Sequence, residues 1–600
     1  MNSKGIPSLN PGFASHPKLM QMTHFPRFMV HPFLLSAIVL LSVTASIKGQ
    51  QPHGGRLDPL QTWQDFDEVP KLHGLDDVNG DGIRDLLLAR IASSSGGFSN
   101  GGAVELISGA NGNILHVWYG ETEDSEFGIA MDTVADVDGD GARDILIGAH
   151  GTEIGGSVEQ GKVYLFSGAA PFALIQSWDG IAQFGGFGSS LSEIGDINGN
   201  GYSEFIVGAP QANSGFIYEA GIIYVYSSNL PQSTGLVYEI QGPFDAGYLG
   251  YEVVGTGDLT GDGIPDFAAG EPGEEPPVSF WYNPGRVRIY SGATGIEFMI
   301  LYGDDDNDFF GSALSSIGDA NGDTFPDLLV GAPYHGGLSG LYDSGFAGVY
   351  SGATGEELIS WIGAGDFDLL GMFLSAMDVD GDGIQEAMIG APGFDRDGVS
   401  NLGLLYMNSP VTGETLAQIK GTKQNEYVGI WPAPAGDVNL DGSPDFFVSS
   451  FGRGAFPLGT ATLYSGALVP QMTANGNSIQ NSTGGAIRFD LDFPTEAAFY
   501  WYQLLYSGAG TGPIQIQGLD VPLSYDLFLV NSYLGNYEGS FSNPSGLLDA
   551  AGNGAVDLTI PAGAVPPGIL NQTIYFAAIS RLAWGTWEYA SVALPVTFLP

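Results

Sequence analysis

Residues 136–144 read DVDGDGARD, with acids at the first, third, fifth and ninth places and glycine at the fourth and sixth. The pattern recurs as DVNGDGIRD from Asp77, DINGNGYSE from Asp196, DLTGDGIPD from Asp258, DANGDTFPD from Asp319, DVDGDGIQE from Asp378 and DVNLDGSPD from Asp437. Successive starts lie 59, 60, 62, 61, 59 and 59 residues apart. A nine-residue pattern held to so even a step is an internal repeat of seven units.

Working outward, the flanks repeat as well. An apolar residue plus glycine opens most units: Phe127-Gly128, Phe187-Gly188, Leu249-Gly250, Phe310-Gly311, Leu370-Gly371 and Val428-Gly429. After the nonapeptide comes an apolar run ending in Gly-Ala-Pro or a variant, as at Gly208-Ala209-Pro210, Gly331-Ala332-Pro333 and Gly390-Ala391-Pro392. A variable glycine-rich loop follows, then a strand ending in Tyr-Ser-Gly, as at Tyr290-Ser291-Gly292, and a last alternating strand such as ILHVWYG at 114–120. No segment sustains a helical period. The reading is all-β, with four short strands per unit. Seven four-stranded units that must each bury both faces give a seven-bladed β-propeller over residues 57–468. The last unit lacks a clear fourth strand, and Leu57–Trp63 (LDPLQTW) resembles the fourth strands elsewhere. It is expected to complete the last blade and close the ring.

The nonapeptide suits a hard divalent cation. Alternate residues of a tight loop point oxygens inward, and the seventh adds its backbone carbonyl. The candidate ligands are Asp77, Asn79, Asp81, Ile83 and Asp85; Asp136, Asp138, Asp140, Ala142 and Asp144; Asp196, Asn198, Asn200, Tyr202 and Glu204; Asp258, Thr260, Asp262, Ile264 and Asp266. The remaining loops offer Asp319, Asn321, Asp323, Phe325 and Asp327; Asp378, Asp380, Asp382, Ile384 and Glu386; and Asp437, Asn439, Asp441, Ser443 and Asp445. An all-oxygen, multi-carboxylate donor set points to Ca²⁺, up to seven ions, rather than to Mg²⁺ or a soft metal. This is not an EF-hand, because the twelfth position is Leu88, Ile147 or Val207 rather than Glu. A plain Asp-Gly turn would need only two such residues, and carboxylates crowded together repel unless a cation sits among them. The loops from Asp136 and Asp378 carry four acids each and are expected to bind tightest; the loop from Asp196 carries two and should bind weakest.

Composition agrees. The chain has 600 residues, 18 Lys+Arg against 67 Asp+Glu, and a formal charge of −49. Such acidity excludes nucleic-acid binding and docking on anionic membranes. Glycine, 92 of 600 residues, is about twice its usual share of ~7%, as many tight turns require. No cysteine is present, so disulfides, thiolate metal sites and cysteine nucleophiles are excluded. Lys4, Lys18 and Arg27 precede the apolar run Phe33–Val43, and Val43-Thr44-Ala45 offers small residues for cleavage. Residues 1–45 thus read as a secretory signal segment, with no membrane span in the mature chain.

With Phe-Gly, DxDxDGxxD and Gly-Ala-Pro together at a step of about sixty residues, the chain resembles the FG-GAP repeats of integrin α-subunit propellers over roughly 57–468. The resemblance implies a seven-bladed propeller with Ca²⁺ in hairpins on one face and ligand-binding loops on the other. It departs from integrins in keeping the acidic motif in all seven units, and no inserted adhesion domain, leg or transmembrane helix is recognisable. Secreted bacterial FG-GAP proteins are more similar, and the heterodimeric receptor role does not transfer.

Residues 480–600 read as a small antiparallel β-sandwich, with strands expected at 486–493, 497–507, 524–530, 555–561, 573–580 and 589–599. Trp501, Trp584 and Trp587 are expected in its core rather than in a sugar-binding platform. No catalytic constellation emerges, so an enzyme is not expected. His53, His73, His116, His150 and His335 are scattered and expected on surface loops, and the single G-x-S-x-G, Gly97–Gly101, lies in a Ser/Gly loop. Variable loops carrying Trp281, Tyr282, Tyr334 and Tyr342, beside acids such as Asp304, Asp305, Asp306 and Asp308, are candidate ligand-binding residues. The expected protein is a secreted, monomeric, calcium-loaded binding or adhesion protein for an extracellular protein or polysaccharide. The alternatives are a propeller-based polysaccharide hydrolase or lyase, or a structural envelope component.

Overall fold

A computed structural model describes residues 57–466 apart from 58, 67, 229–234, 274–283, 305–306, 337–340, 380–382, 396–397 and 452–458, and much of 472–599. The secretory segment expected at 1–45 lies outside the described residues. Among those described, all regular structure is β, and seven four-stranded antiparallel sheets form a seven-bladed propeller.

Blade 2 shows the plan: Ala130–Val134, Asp144–Ala149, Lys162–Phe166 and Leu174–Asp179 pair in sequence order. The second strand (DILIGA) is wholly buried, while the fourth (LIQSWD) exposes both its ends. Neighbouring first strands contact one another around the axis, so burial falls from the second strand outward. Each blade needs its neighbour. One core joins Val134, Leu146 and Leu165 of blade 2 to Phe205, Val207 and Tyr224 of the next, and another joins Ala268 and Ile289 to Leu328 and Val330. Each fully buried Val, Leu, Ile or Phe among them contributes roughly 1.5–3 kcal/mol. The tryptophans of the fourth strands reach across the same seams: Trp178 lies 5.1 Å from Phe205, and the Trp361 indole N–H donates to the Gly413 carbonyl at 3.1 Å.

The Phe-Gly and Gly-Ala-Pro signatures are two halves of one contact. The N–H of Gly188 donates to the Gly208 carbonyl within its own blade, and a Cβ on Gly148 of the preceding blade would lie 2.2 Å from the Gly188 carbonyl oxygen. The same clash recurs for Gly208 on Gly250, Gly270 on Gly311, Gly331 on Gly371 and Gly390 on Gly429, at 1.9–2.1 Å. Backbones of adjacent blades touch there, and only glycine leaves the room.

The ring closes as the sequence implies. Pro59–Phe66 pairs antiparallel with Gly459–Tyr464 as the fourth strand of the last blade, with Thr62 opposite Thr462. A core of Leu72, Leu86 and Leu88 from blade 1 with Phe447, Ala461 and Leu463 from blade 7 seals the seam, and Trp63 packs against it.

Beyond residue 472 two sheets share one core of Ile487, Phe489, Leu504, Val556, Ile574, Phe576 and Val596, a small β-sandwich. It is not purely antiparallel, because Ser478–Gln480 runs parallel to Leu594–Leu599. The strand expected at 524–530, with Trp584 and Trp587, lies outside the described residues. Trp501 is not a core residue: it is 41% exposed, while its neighbours Tyr502 and Leu504 are buried. It sits on the outward face of its strand, where alternation puts every second side chain.

Candidate metal centres

Each nonapeptide joins the first strand of its blade to the second. In the loop 136–144, Gly139 and Gly141 take φ of +82° and +95°, and these left-handed residues coil the backbone around Asp136. One Asp136 oxygen accepts the N–H groups of Gly139 (2.7 Å) and Asp140 (3.1 Å), and the other accepts that of Gly141 (2.8 Å). Asp138 accepts from Asp140, and Asp140 from Ala142. The Asp144 carboxylate accepts the Val137 N–H at 2.8 Å, which ties the loop's end to its start. Carboxylate oxygens of Asp136, Asp138 and Asp144 lie within 4.8 Å of one another. No Lys or Arg among the described residues pairs with these acids, and the Arg143 guanidinium turns away to Thr133 and Glu193. Three converging carboxylates and hydroxyl or carbonyl oxygens fit a hard divalent cation.

Where the sixth residue is not glycine, the conformation persists. Thr324 adopts φ +78° and still donates its N–H to Asp319 at 2.8 Å, and Leu440 takes φ +60° at the fourth place of the last loop. Both hold a conformation that costs a non-glycine residue ~1–2 kcal/mol.

The ninth-place acids are Asp85, Asp144, Glu204, Asp266, Asp327, Glu386 and Asp445, and all are buried. Burial pushes the Asp144 carboxyl up to about 6, helped by the nearby charges of Asp138 and Asp140. Burial likewise raises Asp85, Glu204, Asp266, Asp327 and Asp445. Asp77, at the exposed first place, is lowered by the N–H groups of Gly82, Gly80 and Asp81 that point at it. The loops from Asp77 and Asp196 thus combine a rim acid whose carboxyl is lowered with a buried one, Asp85 or Glu204, that resists charge until a cation arrives.

The third-place residue sets how open a loop is. In three of the four loops with Asn there, the amide turns its N–H onto the ninth-place acid: Asn79 to Asp85 at 3.1 Å, Asn198 to Glu204, and Asn439 to Asp445 at 3.2 Å, whereas Asn321 donates to the fifth-place Asp323 at 2.9 Å. Asp138 can donate nothing, and its carboxylate stays open toward its neighbours. The loop from Asp196 shares this closure with those from Asp77 and Asp437. In the loop from Asp378, Asp380 and Asp382 lie outside the described residues.

The sequence reading missed a second layer. The Ser-Gly of the turn between the third and fourth strands caps the loop from outside. Ser167 donates its hydroxyl to Asp140 at 2.6 Å, and the Gly168 N–H reaches Asp144 at 2.9 Å. Gly109, Gly292, Gly352 and Gly466 do the same for Asp85, Asp266, Asp327 and Asp445. The repeated Ser-Gly, some two dozen residues past the ninth-place acid, was the available signal.

The connections between second and third strands, and between blades, emerge at the opposite end, as four antiparallel strands require. There Phe216, Tyr218, Ile181, Phe184 and Tyr342 are exposed. Tyr342 is 70% exposed, whereas Tyr334 is half-buried with its ring edge-on to Phe309. Trp281 and Tyr282 lie outside the described residues. The histidines depart from expectation: His150 and His335 are buried, held by Glu126 at 2.8 Å and Asp308 at 3.0 Å, and His73 and His116 lie on strands.

The FG-GAP repeat family matches residues 127–166, 187–226 and 310–350. Among curated proteins the chain is 33% identical to integrin alpha-PS5 of Drosophila melanogaster over 27% of this chain and 16% of that protein. It is 30% identical to integrin alpha-V of Gallus gallus over 38% and 22%, and 29% identical to integrin alpha-5 of Xenopus laevis over 38% and 21%. The chain therefore spans about a fifth of the length of these relatives. Among solved structures, a europium-containing methanol dehydrogenase aligns with 70% of this chain and 96% of its own at 9% identity and a TM-score of 0.38.

Proposed function

Since the chain carries an FG-GAP, integrin-α-like seven-bladed propeller, we propose that it is an exported binding or adhesion protein. In this reading Ca²⁺ in the acidic hairpins is structural, and an extracellular protein or polysaccharide docks on the opposite end. No helix among the described residues is long and apolar enough to cross a membrane. The observation that carries the reading is the division of labour between the two ends. One bears the carboxylate loops; the other bears exposed aromatics such as Phe216, Tyr218 and Tyr342. An ion that binds only the folded chain adds RT ln(1 + [Ca²⁺]/Kd) per site, roughly 2.7 kcal/mol at a hundred times Kd. Several filled loops should hold the melting temperature in calcium at least about 10 °C above that in chelator. Elemental analysis should find several calcium ions per chain; an unchanged Tm with no bound metal would refute the calcium half.

For the binding half, calcium-loaded protein is incubated with panels of glycans and extracellular proteins, scoring retention and cleavage. Retention without cleavage, weakened by Phe216→Ala or Tyr342→Ala, is expected. Accumulating reducing or unsaturated sugar ends would instead identify a polysaccharide-acting enzyme.

A further inference from the structure

We propose that Asp304, Asp308 and His335 bind a first-row divalent transition ion such as Zn²⁺, at the end of the propeller away from the acidic hairpins. Asp304 and Asp308 belong to the connection that follows the strand Glu297–Tyr302, and His335 follows the strand Asp327–Ala332. His335 Nδ1 lies 3.0 Å from an Asp308 oxygen and 3.8 Å from an Asp304 oxygen, and the three atoms fall within 4.8 Å of one another. Metal–ligand bonds of ~2.1 Å place neighbouring ligands about 3–3.5 Å apart, so a small inward movement of Asp304 completes the set. Asp304 is free to move, with its side chain 88% exposed.

The other two ligands are fixed. Asp308 and His335 are 1% and 7% exposed. The His335 N–H donates to Ala332, and its carbonyl accepts from Gly345 and from the Ser344 hydroxyl. Its ring lies against Phe346, and the Asp308 carbonyl accepts the Tyr334 N–H. Two buried ligands and one at the rim leave the remaining coordination positions to water or to a ligand group.

The fold does not call for these side chains. The same backbone bonds are made one or more blades away by Thr152, Ala212 and Phe394 in the place of His335, and by Ser125, Gly247 and Asp368 in the place of Asp308. Among the described residues, histidine opposite two carboxylates occurs at this seam alone. Its chemistry also differs from that of the hairpins: imidazole suits Zn²⁺, Co²⁺ or Ni²⁺ and is not a calcium ligand. Binding places the metal on Nδ1, and any proton held there is released to solvent.

The test uses the full chain in millimolar Ca²⁺, which keeps the hairpins filled, titrated with Co²⁺ and followed by its visible ligand-field band. One saturable equivalent is expected. His335→Phe, the residue blade 6 carries at this place, should weaken it by about 100-fold, and Asp304→Asn by about 10-fold. Should His335→Phe fail to fold, the exposed Asp304→Asn decides. A wild-type chain with no saturable band, or variants that bind as the wild type does, would overturn the site and leave His335–Asp308 as a hydrogen-bonded pair.

Discussion

Asp368 shows what a buried acid costs when no cationic side chain among the described residues meets it. It occupies the place that Asp308 holds one blade earlier, but the residue opposite is Phe394 rather than histidine. It is 1% exposed, and burial pushes its carboxyl up to about 7, against hydrogen bonds from Gly365 and Ala364 and with help from Asp395 and Asp366. The unfolded chain ionises this group near 3.8, the folded chain only near 7. Between those values the folded form binds more protons, so stability falls as pH rises through the window and stays low above it. Asp368→Asn keeps an oxygen for the Gly365 N–H and cannot ionise. Urea unfolding at pH 5 and pH 8, in calcium, should find the variant more stable at pH 8 by up to about 4 kcal/mol and at pH 5 by less than half of that. Equal pH slopes for the two proteins would show that Asp368 does not ionise in this window. Residue-scale features of this kind were only half legible. The acids at the first, third, fifth and ninth places announced themselves by their spacing. The approach of His335 to Asp304 and Asp308 bridges 31 and 27 residues and depends on how two connections fold back together, which no local pattern encodes.

At the scale of the element, the glycines of Gly-Ala-Pro act by absence of volume rather than by backbone freedom. Gly148 has no left-handed φ, so alanine would fit its conformation, and only the Gly188 carbonyl 2.2 Å from the new Cβ opposes it. Gly139, in the hairpin, is the converse: nothing lies within 4 Å of its Cβ position, but φ is +82°. Gly148→Ala must push two blades apart and should cost about 1–3 kcal/mol or more, whereas Gly139→Ala should cost roughly 1–2 kcal/mol of backbone strain. Urea unfolding separates the two mechanisms, because calcium affinity should fall for Gly139→Ala and hold for Gly148→Ala. If Gly148→Ala is neutral, the seam is looser than its geometry implies. The strands themselves were legible from alternating apolar residues between turn signals. What escaped was the Ser-Gly turn as a cap on the acidic loop, since its value lies in a contact with residues two strands back, and the outward side of Trp501, which depends on strand register.

The whole molecule is held as a circle, and the circle is closed by one strand from the far end of the sequence. Pro59–Phe66 supplies the outer strand of the last blade, and Trp63 covers Phe447 at 6.1 Å between ring centroids. Polar contacts tie the start of the ring to its second and third blades: His73 sits 3.7 Å from Asp132, which accepts the Glu193 N–H, and Glu193 pairs with Arg143. Seven blades joined only to neighbours would otherwise come apart from a free edge, as linear repeat arrays do. A chain beginning at residue 68 keeps every acidic hairpin and all six complete blades but exposes the edge of Gly459–Tyr464, a template for pairing with a second chain. It should melt at least about 5–10 °C lower in calcium than the full chain and self-associate in sedimentation. A synthetic peptide of residues 57–67 should restore both the monomer and most of the lost melting temperature, because the missing strand binds where the ladder is already formed. The Trp63→Ala peptide should restore little, since its ring is what covers Phe447. If the shortened chain melts like the full one and stays monomeric, the six remaining seams hold the circle without its clasp, and closure by the N-terminal strand is a convenience of chain layout rather than a source of stability.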